Sequence, residues 1–261
     1  MESRLAFIGG DERMTYAREV VAAGGYTVTN RVSSDLTHIV LPLPAFDRPG
    51  HITGGPALNE ILPYIPGKIV LGGRLGVQEQ YLLSRAEQVI DLLDDEFLTA
   101  GNAEITAEGA IELLLQKLPV TLSGTSVLVI GWGRIGQLLC RKLQALGARV
   151  TASARKARDQ GLISAMGLRP DKTGLYEHGL SGYRAILNTV PAMVISPEQA
   201  LSISPSCVYL ELASVPGVDP SLISETRFLP AGGLPGKTAP ESAGILIGQT
   251  ILRLLRHPSP K

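Results

Sequence analysis

The stretch Ser126 to Gly136, SVLVIGWGRIG, joins a buried strand to a glycine-rich turn and a helix. The apolar, β-branched run before the turn predicts the strand, and the apolar spacing after it predicts the helix. Gly131 allows the tight turn, Gly133 lets a pyrophosphate approach the backbone, and Gly136 lets the helix pack on the strand. An ordinary glycine-bearing turn is the simpler interpretation, but it does not require this order of elements. We therefore predict that a dinucleotide contacts the turn at Gly131, Trp132, Gly133, Arg134, Ile135 and Gly136.

The segment that ends the next predicted strand, Arg149 to Ser153, indicates which dinucleotide binds. An NAD site usually carries an acidic residue there, which accepts a hydrogen bond from the ribose 2′-hydroxyl. This chain has no acidic residue in that segment before Asp159. Guanidinium groups bind a 2′-phosphate, whereas a carboxylate repels it. A solvated helix start would explain the basic residues too, but their position relative to Gly131 favours NADP over NAD, held by Ser153, Ala154, Arg155 and Lys156.

Strand and helix patterns alternate along the chain, which predicts an α/β protein. We expect two Rossmann-like domains with parallel sheets, of which the C-terminal one is the dinucleotide-binding fold. The expected segments are an N-terminal substrate domain (1–103), a long bridging helix (104–119), the NADP-binding domain (120–237) and a C-terminal helix (238–256). This last helix is expected to pack back on the N-terminal domain. The Pro- and Gly-rich stretch 42–56 is predicted to be a loop over a cleft.

Composition excludes several classes of protein. The chain has 24 basic and 24 acidic side chains among 261 residues, which predicts no nucleic-acid or membrane surface. A strand predicted close to the N-terminus leaves no room for a signal peptide, and no apolar run is long enough to span a membrane. Two cysteines without CxxC spacing fit a reducing compartment, so we expect a cytoplasmic protein. No metal site is expected, because the histidines are scattered at His38, His51, His178 and His257.

Ligands of open α/β sheets bind beyond the carboxyl ends of the strands. The residues that follow the predicted strands of the second domain are therefore expected to line the nicotinamide half of the cofactor. They are Thr189, Val190, Pro191, Ala213 and Ser214. The segment Gly232 to Gly236 is predicted to be a turn whose backbone can approach a flat ring closely, with Gly233 as the contact.

Motifs spread over nearly the whole chain resemble those of one family. They include Ile8-Gly9-Gly10-Asp11, the turn Gly131 to Gly136, Asn188-Thr189-Val190-Pro191 and Gly233-Leu234-Pro235-Gly236. The glycine turn is common to many dehydrogenases, whereas the last two motifs are more specific. In these residues the chain resembles the family of A-type subunits of dipicolinate synthase. Leu71-Gly72-Gly73-Arg74 and the stretch from Phe46 to His51 depart from that pattern.

The resemblance implies an NADP-dependent dehydrogenase that oxidises a dihydrodipicolinate to aromatic dipicolinate, an acid of bacterial spores formed during sporulation. It also implies a flavoprotein-like partner, the B-type subunit of the same synthase, and we expect an oligomer. The protein would have to hold a ring carbon against the nicotinamide, bind two carboxylates and remove a proton. Cationic candidates for the carboxylates are Arg13, Arg48, Arg74 and Lys237.

The other candidate residues lie near the predicted helix start at Glu104. Asn102 and Thr106 are expected to bind one carboxylate beside the free N–H groups of that helix. Glu108 is the candidate proton acceptor, provided that burial raises its pKa toward neutrality. The expected substrate site is a cleft between the two domains, with further contacts from Asp11, Arg13, Ser214, Gly233 and Lys237.

Two other functions stay open at this point. The chain could be an oxidoreductase of another small carboxylic acid, with a layout like that of the alanine or 2-hydroxyacid dehydrogenases. It could also be a non-catalytic nucleotide-binding subunit of a complex, because the sequence shows no strong acid–base pair. An assay of the chain alone and with its partner separates these alternatives.

Overall fold

A computed structural model describes residues 3–225 and 227–256 of the chain. Among them, the chain up to Asn102 and from Pro235 onward forms one compact unit, and Ala103–Leu234 forms another. Both units contain a parallel sheet with helices, so the α/β fold class predicted from the sequence is confirmed.

The first unit is built on a five-stranded parallel sheet with the strand order β2-β1-β3-β6-β7. The elements of this part of the chain are β1 (Arg4–Phe7), α1 (Glu12–Ala23), β2 (Thr27–Thr29), β3 (His38–Val40), β4 (Phe46–Arg48), β5 (His51–Ile52), α2 (Leu58–Ile61), β6 (Ile69–Gly72), α3 (Val77–Leu82), β7 (Gln88–Asp91) and the start of α4 (Glu96–Lys117). The strands β4 and β5 form a separate antiparallel hairpin within the stretch predicted to be a loop, so that prediction is wrong for 46–52.

The second unit holds a six-stranded parallel sheet with the order β10-β9-β8-β11-β12-β13. Its elements, after the second part of α4, are β8 (Ser126–Ile130), α5 (Arg134–Ala145), β9 (Arg149–Ala154), α6 (Ala157–Ala165), β10 (Arg169–Lys172), β11 (Ala185–Asn188), α7 (Pro197–Leu201), β12 (Val208–Glu211) and β13 (Phe228–Pro230). Apolar clusters cover both faces of the sheet, so β8 is buried from Val127 to Ile130. The chain order reverses direction between β8 and β11, and in open α/β sheets this is where ligands bind.

Two further helices, α8 (Leu234–Thr238) and α9 (Pro240–Arg256), end the described chain. Helix α9 packs closely against α1, because a side chain at Gly244 or Gly248 would collide with α1. Ile247 and Ile251 join the same buried cluster as Ala17 of α1. The turn predicted at 232–236 is shorter than expected, since its last three residues belong to α8.

The long helix α4 begins at Glu96, and the prediction that it opens at Glu104 is wrong. The Asp95 carboxylate accepts a hydrogen bond from the Leu98 N–H at 3.0 Å and so caps the helix start. Gly101 resembles a helix breaker in sequence, but a Cβ there would lie 2.7 Å from Leu246 of α9. Glycine thus allows close packing inside the helix. As a consequence, Asn102 and Thr106 lie within α4 and not beside the free N–H groups at its start.

Candidate functional site

The glycine turn after β8 shows why two of its three glycines are needed by the fold. Gly131 has a φ of +103°, which favours glycine, and a Cβ there would collide with Thr189. A Cβ at Gly136 would collide with the Gly131 carbonyl oxygen. The Thr189 hydroxyl, which packs beneath the turn, donates a hydrogen bond to the Ile130 carbonyl oxygen at 2.8 Å. The turn is therefore fixed from below by β11 and from the side by α5.

Gly133 differs from the other two glycines because open space surrounds it. A Cβ at this position would meet no protein atom within 4 Å. Packing within the protein therefore does not require glycine here, whereas a ligand that approaches the backbone from outside would. Gly133 is also the N-cap residue of α5, and the first turn of a helix leaves N–H groups without intrahelical acceptors. Open space beside such N–H groups fits the pyrophosphate of a dinucleotide.

A cavity of about 320 Å³ lies over this turn. It unites three segments that the sequence predicts to bind the cofactor, together with two residues that sequence reasoning missed in this role. The lining residues are Gly131, Trp132, Gly133, Ala154, Arg155, Lys156, Asp159, Thr173, Thr189, Val190 and Pro191. Arg134, Ile135 and Gly136 belong instead to the first turn of α5.

The basic segment after β9 lines this cavity, but not in the way expected for all of its members. Arg155 and Lys156 are exposed, whereas Ser153 is fully buried and shares a 2.9 Å hydrogen bond with the Thr173 hydroxyl. Ser153 therefore supports the cavity wall and does not present its hydroxyl to a ligand. Asp159, in the first turn of α6, adds a carboxylate to the cavity. The sequence shows this acid, but only the fold brings it beside Arg155.

A second cavity of about 650 Å³ adjoins the first and shares Arg155, Thr173 and Val190 with it. Most of its remaining lining is apolar, from Ala192, Met193, Val194, Ile195 and Leu222. The two cavities together offer a glycine turn, a basic edge and an apolar recess. These are the three environments that a dinucleotide's pyrophosphate, its 2′-substituent and its adenine require.

Besides Arg134, Ile135, Gly136 and Ser153, three more predicted cofactor residues lie outside the lining of these cavities. Ala213 and Ser214 follow β12, where the Ala213 N–H donates to Glu211 at 3.0 Å and Ser214 is exposed. Gly233 is exposed just before α8.

In the first unit, the predicted substrate residues Asp11 and Arg13 bind each other. The Arg13 guanidinium donates to both Asp11 carboxylate oxygens, at 2.8–3.1 Å, and to the Leu43 carbonyl oxygen at 2.6 Å. Gly236 packs against the same group, since a Cβ there would lie 2.9 Å from Arg13 Nε. Arg13 thus ties together the start of α1, the loop after β3 and α8, and most of its donors are occupied. Lys237 is exposed in α8.

The chain itself fills the position over the first unit's own glycine turn. The Gly10 N–H donates to the Thr53 carbonyl oxygen at 2.7 Å, and a Cβ at Gly54 would lie 2.6 Å from the Gly10 carbonyl oxygen. This is the place where a Rossmann domain would hold a pyrophosphate. The first unit's turn is therefore closed to a pyrophosphate, whereas the space at Gly133 of the second unit is open.

Arg74 is a cationic residue with an unusual backbone in the first unit. Its φ of +60° lies in the left-handed region, and Asp91 holds this turn by accepting from the N–H groups of Arg74 at 3.1 Å and Leu75 at 2.6 Å. Within residues 3–225 and 227–256, its exposed guanidinium takes part in no hydrogen bond or ion pair. A non-glycine residue in this conformation is costly and is often found at functional sites.

The predicted proton acceptor, Glu108, is misplaced for that role. Its side chain is 66% exposed and forms a 2.9 Å ion pair with Lys142 of α5, which also binds Glu104. The expected catalytic role required burial of the carboxyl group, and the structure shows the opposite. Thr106, two residues earlier, is buried, and Asn102 is half-buried.

Neither a metal centre nor a membrane span appears in the part of the chain that the structure describes. No group of three or more His, Cys, Asp or Glu side chains there could hold a metal ion. His257, one of the four histidines, lies outside the described residues. None of the described helices combines the length and the apolar character needed to cross a bilayer.

The fold defines a class of protein, namely proteins with the two-unit Rossmann fold that dehydrogenases also have. Solved structures with that fold include a transhydrogenase from Sinorhizobium meliloti, with a TM-score of 0.69 and 13% identity over 96% of this chain and 93% of that one. An L-alanine dehydrogenase also has a TM-score of 0.69, at 12% identity over 98% of this chain and 91% of its own. At such identities the likeness shows the fold alone.

The chain belongs to the family of A-type subunits of dipicolinate synthase, so the resemblance seen in its motifs is confirmed. It is 32% identical to the A-type subunit from Bacillus subtilis over 187 residues, which are 69% of this chain and 63% of that relative. The matched part thus spans less than two thirds of the relative's length. The crystal structure of the corresponding Bacillus halodurans protein has a TM-score of 0.88 and 25% identity, over 98% of both chains. That of the Bacillus subtilis protein has a TM-score of 0.86 and 26% identity, over 98% of this chain and 96% of that one. No protein-family model matches the chain.

Proposed function

We propose that this chain is the NADP-binding, hydride-transferring subunit of a dipicolinate-synthase-type oxidoreductase. The observation that carries the proposal is the cavity over the glycine turn. It combines open space at Gly133 with the basic residues Arg155 and Lys156. Its substrate would be a dihydrodipicolinate, and the reaction would yield aromatic dipicolinate.

Each part of the two adjoining cavities would hold one part of the cofactor. The backbone at Gly133 and the start of α5 would bind the pyrophosphate. Arg155 and Lys156 would bind the 2′-phosphate, which is why we favour NADP over NAD. The apolar recess at Met193 and Leu222 would take the adenine ring. Asp159 lies beside the basic pair and would oppose a second negative charge, so the preference depends on Arg155 and Lys156 outweighing it.

The nicotinamide supplies a hydride acceptor when the cofactor is bound. The chain's own residues would orient the substrate ring, bind its two carboxylates and keep water away. In the first unit, Arg74 is better suited than Arg13 to bind a carboxylate, because Asp11 already occupies Arg13. We retain Asn102, Thr106, Ser214, Gly233 and Lys237 as further candidate contacts and omit Glu108.

Cofactor binding can be tested without a substrate. Trp132 is the only tryptophan of the chain and lines the cavity, so energy transfer from its indole to bound NADPH reports on this site alone. We expect saturable transfer that 2′,5′-ADP abolishes by competition. Absence of transfer, together with no heat of binding in calorimetry, would contradict the cofactor site.

Turnover is the second step of the test. The chain is supplied with NADP and enzymatically generated dihydrodipicolinate, alone and with the flavoprotein-like partner of a dipicolinate synthase. We expect dipicolinate and NADPH to appear in equal amounts in at least one of these mixtures. Cofactor binding without turnover in both mixtures would favour the alternative function, a non-catalytic nucleotide-binding subunit.

A further inference from the structure

Asn188 and Glu211 form a polar pair in the centre of the second unit. They are the last residues of β11 and β12, stand opposite each other in the strand register, and are 0% and 4% exposed. The Asn188 side-chain amide donates to Glu211 Oε1 at 2.8 Å. No basic side chain donates a hydrogen bond to this carboxylate or forms an ion pair with it among the described residues. Burying such a group is costly unless donors surround it.

Asn188 fixes the segment that lines the cofactor cavity. Its side-chain oxygen accepts from the Val190 N–H at 3.0 Å, and its amide donates to the Val190 carbonyl oxygen at the same distance. Both bonds hold the backbone of one residue, and Val190 lines both cavities. The asparagine side chain therefore fixes the backbone of the segment Thr189 to Pro191.

Glu211 fixes the neighbouring loop. Its Oε1 accepts from the Ala213 N–H at 3.0 Å and its Oε2 accepts from the Gly217 N–H at 2.8 Å, which closes the loop 213–217 on itself. The Gly217 carbonyl oxygen in turn accepts from the N–H groups of Val194 and Ile195 at 2.9 Å. A Cβ at Gly217 would collide with the Asn188 amide, so the loop lies directly on the pair.

We propose that Asn188 and Glu211 are positioning residues for hydride transfer. In this proposal, which rests on the proposed function, they set the backbone at the nicotinamide end of the cavity without touching the cofactor. The carboxylate accepts two backbone N–H bonds and one from the Asn188 amide. The segment 189–191, the loop 213–217 and, through Gly217, the segment 194–195 therefore share one rigid support. A less polar pair would fill the same space, but it would leave the loop's N–H groups without acceptors.

Glu211→Gln tests the proposal with two separate readouts. The variant keeps the size of the side chain, but its NH₂ group must face one of the N–H groups from which the carboxylate accepts a hydrogen bond in the wild-type chain. We expect kcat to fall on the order of 10²-fold, the effect of displacing reacting groups by about 1 Å. The Kd for 2′,5′-ADP, which contains no nicotinamide, should change by less than about fivefold. Arg155, the glycine turn and Met193 are not held by the pair, and only Val194 and Ile195 of the recess bond to the Gly217 carbonyl oxygen. Glu177→Gln, at an exposed site of the same unit, is the matched control.

A second variant covers the case in which Glu211→Gln does not fold. Asn188→Ser removes both side-chain hydrogen bonds to the Val190 backbone and leaves the two backbone N–H groups that donate to Glu211 in place. The same split between kcat and 2′,5′-ADP affinity is expected. Loss of ligand affinity and of turnover by equal factors would mean general damage to the unit, and unchanged kcat would mean that the pair has no positioning role; both results overturn the proposal.

A further measurement, fluorescence anisotropy, separates a failure of the positioning role from a failure of the proposed function. In both variants the fluorescence anisotropy of bound NADPH should fall at equal occupancy, because the nicotinamide is held less firmly. That measurement needs no dihydrodipicolinate. Failure of the wild-type chain to oxidise the substrate would thus count against the proposed function, whereas unchanged anisotropy in the variants would count against the positioning role.

Discussion

Gly131, Gly133 and Gly136 belong to one motif, but the space around each of them differs. The first and third are packed against Thr189 and the Gly131 carbonyl oxygen, while the second faces open space. A side chain added at Gly131 or Gly136 should therefore damage the fold, whereas the same side chain at Gly133 should damage the ligand site.

Gly133→Val should abolish NADPH binding and leave the melting temperature almost unchanged, because the new side chain occupies only the space of the pyrophosphate. Gly136→Val is the contrasting variant and should unfold the second unit, since its Cβ collides with the backbone. Calorimetry measures the affinity and circular dichroism the melting. Full NADPH affinity in Gly133→Val would refute the assignment of the turn.

The preference for the 2′-phosphate should depend on the balance of charge at the cavity edge. Arg155→Asp should weaken NADPH binding by about 2–4 kcal/mol, the scale for losing one partner of a close charge pair, and affect NADH much less. Asp159→Asn should act in the opposite direction and improve NADPH relative to NADH. Both affinities follow from titration of Trp132 fluorescence. An equal loss for both cofactors in Arg155→Asp would show that the basic edge does not bind the 2′-phosphate.

Arg74 should lower the stability of the first unit and strengthen substrate binding. Arg74→Gly removes a left-handed conformation that costs about 1–2 kcal/mol, against an entropy cost of about 0.5–1 kcal/mol for glycine. We therefore expect unchanged or slightly higher stability in urea unfolding, with KM for the dicarboxylate raised about tenfold by loss of the cation. Arg74→Ala, which keeps the strain, should raise KM equally but not gain stability. Unchanged KM in both variants would exclude Arg74 from the substrate site.

At the scale of elements, small residues allow helices to approach closely in the first unit. Gly244 and Gly248 of α9 meet α1, and Gly101 of α4 meets Leu246 of α9. Periodicity identifies the apolar face of such helices but not the distance at which they pack. Gly101 therefore resembles a helix boundary in the sequence, and the pattern places the start of α4 at Glu104 and not at Glu96.

Gly248→Val should destabilise the first unit by about 1–3 kcal/mol, the usual cost of overpacking. The added Cβ would lie 2.6 Å from Val20 of α1. The affinity for 2′,5′-ADP should not change, because that site belongs to the second unit. Gly161→Val, in open space on α6, is the control for glycine substitution in a helix. Equal stability of both variants in denaturant unfolding would contradict the close contact.

At the scale of the whole molecule, cofactor binding should be visible as stability. A ligand present at about 100 times its Kd stabilises the state that binds it by about 2.7 kcal/mol. NADPH should therefore raise the melting temperature of the wild-type chain, and Gly133→Val should show no shift. Differential scanning calorimetry measures both. A shift that persists in Gly133→Val would place the ligand somewhere else.

The sequence alone was sufficient for the α/β class, the succession of strand, glycine turn and helix, and the family resemblance, because these depend on local order. A strand, a glycine turn and a helix must follow one another within about a dozen residues, and each glycine's role comes from that order. That the three predicted cofactor segments line one cavity was also predictable, since the carboxyl ends of parallel strands meet at one edge.

Only the tertiary structure decided which side chains are available for chemistry. It pairs Arg13 with Asp11, exposes Glu108 beside Lys142, buries Ser153 against Thr173 and brings Asp159 to the basic edge. It also joins Asn188 and Glu211, which stand 23 residues apart in the chain. Whether the partners are 2 residues apart, as Asp11 and Arg13 are, or 34 apart, as Glu108 and Lys142 are, neither composition nor periodicity carries information about which partner each polar group will meet.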